Sequence, residues 1–112
     1  EKVVFSKNDV SVKVNEELGS EIHWLIPNAQ KNSMEPIMVH LEPGGETLFD
    51  EPHDGEEFGY VLKGQIVLHI GSEQLKVRTG ESFYFTAKLG HYISNPGKKP
   101  ASVLWISTPP SF

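Results

Sequence analysis

An all-β chain closing into a small barrel is what this sequence predicts, on three observations. Apolar and polar residues alternate in run after run. Glycine, proline and asparagine break these runs at short intervals. No stretch of ten or more residues carries a 3.6-residue apolar period capped at both ends. Short strands at this spacing build a sandwich or a barrel, and for a single small domain the barrel is the better fit.

The strands can be read in order. Val10, Val12 and Val14 open the alternation, followed by Ile22, Trp24 and Ile26, then Ile37, Val39 and Leu41 up to the turn Pro43-Gly44-Gly45. Phe58, Tyr60 and Leu62 follow Asp54-Gly55 and end at Lys63-Gly64. Ile66, Leu68 and Ile70 run to Gly71-Ser72, and Leu75 and Val77 run to Thr79-Gly80. Phe83 and Phe85 precede Asn95-Pro96-Gly97, and Val103 and Trp105 close the set. The segment Asn15 to Ser20 is too polar for a core. Residues 1–20 therefore read as a lead-in and 21–112 as the barrel core of one domain. The first residue is Glu1 and not Met, which sets the expectation of a C-terminal piece of a longer protein.

Two runs are apolar on both faces. Phe58, Tyr60 and Leu62 point one way and Gly59 and Val61 the other, while Val103, Leu104, Trp105 and Ile106 leave neither face polar. An antiparallel strand with one wet face alternates cleanly, so the extra apolar face calls for cover, and a homodimer is expected.

Composition narrows the functions. At 112 residues the chain can bury about 65% of its unfolded surface. It has no cysteine, which excludes disulfides and thiolate metal sites and fits a reducing cytoplasm. No apolar run nears the roughly 20 residues that span a bilayer, so no membrane partner is expected. A formal charge of −5 repels phosphate backbones, so DNA is expected to be reached only through a domain outside this chain. There is no Gly-x-Ser-x-Gly elbow and no phosphate-cradling glycine loop, which argues against covalent hydrolase chemistry and nucleotide cofactors.

Chemistry-bearing residues gather in two glycine-bracketed strings. The first runs from Gly45 through Glu51, His53 and Glu57 to Gly64, and the second from Gly80 through Thr86, Lys88 and His91 to Asn95. The first resembles the first motif of the cupin superfamily, Gly-x5-His-x-His-x3-Glu-x6-Gly, with Glu51 in place of the first histidine. The second resembles the other cupin motif, Gly-x5-Pro-x-Gly-x2-His-x3-Asn, with Thr86 and Lys88 replacing the proline and glycine. The fold this implies is the cupin double-stranded β-helix, a jelly-roll barrel. The run His53 to Gly64 and the tail Val103 to Phe112 are further similar to the C-terminal sensory cupin of helix-turn-helix regulators of the xenobiotic-response-element type. Repressors that respond to putrescine are among these.

The resemblance implies a site. His53, Glu57 and His91, with Glu51 as a fourth, would be metal ligands, and imidazole with carboxylate suits zinc, nickel, copper, iron or manganese. Without a metal, Glu51, Glu57 and Glu56 would make an acidic pocket that attracts an organic cation such as a polyamine, with His53 and His91 lining it and Tyr92 offering its hydroxyl. Asp54-Gly55 is also a two-residue hairpin signal, which would set His53 opposite Glu56 and not Glu57. The family pattern selects Glu57. His23, His40 and His69 read as packing or surface residues, with His40 the best placed to face inward.

Two functions follow. One is a sensory domain whose effector binds in the barrel and signals through a dimer to an upstream helix-turn-helix domain, with no catalysis in this chain. The other is a stand-alone metal-dependent enzyme, a dioxygenase or isomerase.

Overall fold

A computed structural model describes all 112 residues. The nine strands are β1 (Ser11–Asn15), β2 (Ser20–Trp24), β3 (Glu35–Leu41), β4 (Glu56–Lys63), β5 (Gln65–Ile70), β6 (Glu73–Arg78), β7 (Ser82–Thr86), β8 (His91–Ser94) and β9 (Ala101–Thr108). They form two antiparallel sheets, a larger one ordered β1-β2-β3-β9-β4-β7 and a smaller one ordered β6-β5-β8. Two single 3-10 turns, Lys7–Asp9 and Ala29–Lys31, are the helical content. This is the all-β jelly-roll barrel expected from the alternation. No helix is long and apolar enough to cross a membrane.

Period-2 patterning decides which side chains meet. On β3, Ile37, Val39 and Leu41 point inward, and on β9 Val103 and Trp105 face them in register, Val39 opposite Val103 and Ile37 opposite Trp105. Ile66, Leu68, Val77 and Ile93 of the smaller sheet complete the core between the sheets. At roughly 2 kcal/mol for each fully buried aliphatic side chain, this layer dominates the stabilisation.

On β4 one of the two apolar faces is now assigned, and two local expectations meet a different outcome. Along β4 the inward residues are Glu57, Gly59 and Val61, so Tyr60 lies on the outer face. Gly59 is the reason: a Cβ there would stand 2.0 Å from Cζ of Phe83, whose ring fills the space beneath the strand. Asp54-Gly55 does not join two paired strands. The His53 N–H donates to the Ala87 carbonyl and the Ala87 N–H to the Gly55 carbonyl, so the segment is tied to the β7–β8 connection. Within the expected lead-in, Ser11–Asn15 forms β1 and pairs with β2 along its whole length.

The first strand also has the opposite phase to its apolar pattern. Its partners across the ladder are Lys13 with Ile22 and Asn15 with Ser20. Ile22 packs on the core and Ser20 is buried, so Lys13 and Asn15 share the barrel side while Val12 and Val14 face out, 52% and 57% exposed.

Candidate ligand and metal site

Glu57 is at the centre of the polar interior. It lies on the inward face of β4 and is fully buried, while Glu56 points outward and accepts from the Tyr84 hydroxyl. A buried carboxylate is costly unless its oxygens are engaged, and here both are. The Trp105 indole N–H donates to Oε1 at 2.7 Å, while His53 Nε2 and His91 Nε2 lie 2.9 and 3.0 Å from Oε2. The indole comes from β9, the strand beside β4, with Trp105 directly opposite Gly59.

The two histidines are oriented from behind. Nδ1 of His53 lies 3.0 Å from the Asp54 carbonyl and Nδ1 of His91 lies 2.9 Å from the Leu89 carbonyl. A carbonyl only accepts, so each Nδ1 carries a proton and each Nε2 is directed at the centre. Such a hydrogen bond behind the ring is how metal-ligating imidazoles are commonly held. The three inward ligand atoms lie within 4.8 Å of one another. Two imidazole nitrogens and one carboxylate oxygen suit a divalent transition ion, so this donor set could hold one.

Asp50 joins the group through backbone register. Residues 46–50 run antiparallel beside β8, and Asp50 and His91 exchange both backbone hydrogen bonds. Residues paired in this way present their side chains on one face, and Asp50 Oδ2 lies 3.5 Å from His91 Nε2. Burial alone would push the His91 pKa down. The hydrogen bonds to Asp50, Glu57 and the Leu89 carbonyl, with the charge of Glu57, outweigh it and carry it up to about 10.

The residues expected at the site are thus divided. His53, Glu57 and His91 come together. Glu51 follows Asp50, is exposed, and forms no hydrogen bond or ion pair with the group. Tyr92 alternates with His91 on β8 and points to the outer face, where it stacks on His69 with ring centroids 4.1 Å apart. His40 also faces outward, hydrogen-bonded to Ser102 and edge-on to His23. Asp50 and Trp105 were missed as site residues. Trp105 carried a usable signal, since a buried indole N–H needs an acceptor.

Beside this cluster is a cavity of about 160 Å³ between the sheets, walled on one side by β1 and β2. Ile22, Trp24, Leu48, Trp105 and Phe112 give it apolar walls, with Lys13, Asn15, Thr47 and Asp50 as polar points. The C-terminal tail closes part of it. The fully buried Glu35 carboxylate accepts the backbone N–H of Ser111 and of Phe112 on Oε1 and the Trp24 indole on Oε2. Phe112 then packs edge-on against Trp105.

Residues 37–107 match the sequence profile of the family described as Cupin domain. The chain is 32% identical over 94 residues to the uncharacterized protein MJ1618 of Methanocaldococcus jannaschii, covering 82% of this chain and 75% of that protein. It is 30% identical over 89 residues to the HTH-type transcriptional regulator PuuR of Escherichia coli, covering 79% of this chain but only 48% of PuuR, about half its length. Its fold superposes with a TM-score of 0.73 and 18% identity on the crystal structure of the cupin domain of an XRE family transcriptional regulator from Enterobacter cloacae, covering 83% of this chain and 99% of that one.

Proposed function

The chain belongs to the cupin family, and from that premise we propose that it is the small-molecule-sensing domain of a DNA-binding transcriptional regulator. The observation that carries this reading is its likeness to PuuR, of which it covers about half the length, which leaves room in such a regulator for a DNA-reading domain. The effector would enter the cavity behind β1 and β2, whose outer faces belong to the same strands that would meet a second copy. Binding then acts on the dimer only to the extent that the effector prefers one arrangement of the two copies; affinity alone moves no equilibrium.

His53, Glu57 and His91 would hold a divalent metal ion, with Asp50 beside them. When bound, such an ion supplies a Lewis-acidic anchor for an oxygen or nitrogen of the ligand. Trp105 fixes the Glu57 carboxylate through one oxygen and leaves the other aimed at the centre. The Leu89 and Asp54 carbonyls hold the two rings so that their Nε2 atoms face it.

A second reading is a metal-dependent enzyme, favoured by the convergence of three donor atoms from two segments of chain. Structures of this fold include both regulator domains and enzymes. The experiment that separates the two is to read the native frame upstream of Glu1 and test the whole product on its own promoter fragment. A helix-turn-helix segment of roughly 60–80 residues, with retarded DNA whose mobility a ligand alters, is the expected result. A start codon within a few residues, together with metal-dependent turnover lost in His53→Ala, would replace this reading with the enzyme.

A further inference from the structure

β1 is a strand turned inside out. Val12 and Val14 face solvent while Lys13 and Asn15 face the barrel, although a slip of one residue in the pairing with β2 would exchange the two sets. Lys13 is exposed yet lines the cavity beside the walls Ile22, Trp24, Trp105 and Phe112, so it stands where a ligand entering from solvent would meet it.

Within the chain, nothing does. Lys13 forms no ion pair, and its amine has no carboxylate of the chain within 4 Å. The acids of the interior are engaged elsewhere: Asp50 faces His91, Glu57 is shared by His53, His91 and Trp105, and Glu35 by Trp24 and the C-terminal backbone. Lys13 is therefore the unpaired charge of the cavity lining, and it is positive.

We infer that the cavity binds a small carboxylate with an apolar body, its carboxylate taken by Lys13 and its body laid against Trp24, Trp105 and Phe112. A cavity of about 160 Å³ limits the ligand to roughly the size of benzene with one polar group attached. This inference rests on the reading of the barrel as a ligand site and names the chemistry of the ligand. It differs from the organic cation suggested by the acidic residues of the sequence, because Asp50, Glu57 and Glu35 are already engaged by donors within the chain.

The test is calorimetric titration of the chain with matched pairs: benzoate against benzylamine, and butyrate against butylamine, with putrescine as the dication. Benzoate or butyrate is expected to bind and the amines not to. Lys13→Met, which keeps the apolar stem, should weaken the carboxylate at least about tenfold, and Lys13→Arg should retain it. Lys13 is exposed on an edge strand, so both variants should melt with the parent. Amines binding as tightly as the carboxylates, or an unchanged affinity in Lys13→Met, would overturn the inference. Zinc and manganese titrations on the same samples separate two kinds of failure. If the carboxylates fail while metal still binds in a His53-dependent way, the inference falls and the site reading stands. If neither binds, both fall.

Discussion

His91 is the residue on which most of the interior chemistry converges. Its ring is buried against Phe85 and His53 and is held by Leu89, Asp50 and Glu57 at once. A metal held here would bind Nε2, the atom that also takes the proton, so metal and proton would compete for it. A histidine whose folded pKa is raised from 6.5 to about 10 adds stability that is fully present below pH 6.5 and is lost as pH rises toward 10. The protein in chelator should therefore melt at a lower temperature at pH 10 than at pH 6. His91→Gln should flatten that slope, and a slope equal to the parent's would remove His91 as its source. At this scale the sequence was informative about type and poor on partners. The spacing of His53, Glu57 and His91 was visible in the two strings. Asp50 was not visible beside its neighbour Glu51, because which of two adjacent acids joins the site depends on which is paired with His91 across the ladder, and pairing is a tertiary fact.

Among elements, β1 and the C-terminal tail stand out because each covers the cavity by a different means. The tail is tied down by one side chain, since Glu35 takes two backbone donors from it and an indole from β2. Removing a buried acceptor leaves its donors unsatisfied, at about 1–3 kcal/mol each. Glu35→Ala should thus free the tail, seen as faster hydrogen exchange at residues 111 and 112 and a stability loss of at least about 2 kcal/mol. Unchanged exchange there would show that Phe112 packing alone holds the tail. Strands were legible wherever apolar alternation was long, as on β3 and β5. The phase of β1 was not, because Val12 and Val14 carry the alternation that normally marks a core face while the pairing with β2 turns them outward. The Asp54-Gly55 turn misled for a related reason, since turn chemistry fixes a local bend but not which strands it connects.

For the whole molecule, the outer face of the larger sheet is its most conspicuous surface. It presents exposed Tyr60, Leu62 and Tyr84 with half-buried Met38, Leu104 and Ile106 beside them, while exposed Val12 and Val14 lie at the far edge beyond Glu21, His23 and His40. An exposed apolar patch rimmed by polar residues is the usual mark of an interface. Sedimentation at micromolar concentration should give about 25 kDa, twice the chain mass of 12.5 kDa, as a closed two-fold pair requires. Val14→Lys or Leu104→Glu should return the chain to a monomer, and a monomer in the parent would remove the dimer from the proposed mechanism. The doubly apolar runs at 58–62 and 103–106 announced this face before any coordinates did.

The order of strands has a further consequence, one of timing. β9 lies between β3 and β4, and contacts such as His40 with Ser102 span 62 positions of chain. Until the ribosome has released that strand, β3 and β4 each offer an open edge, and the indole that anchors Glu57 does not yet exist in the nascent chain. At about 5–20 residues per second this exposure lasts seconds, long enough for mispairing between neighbouring chains. The interior site is therefore completed only after β9 has been made, and a ribosome stalled before Ala101 would hold a chain whose larger sheet is in two halves.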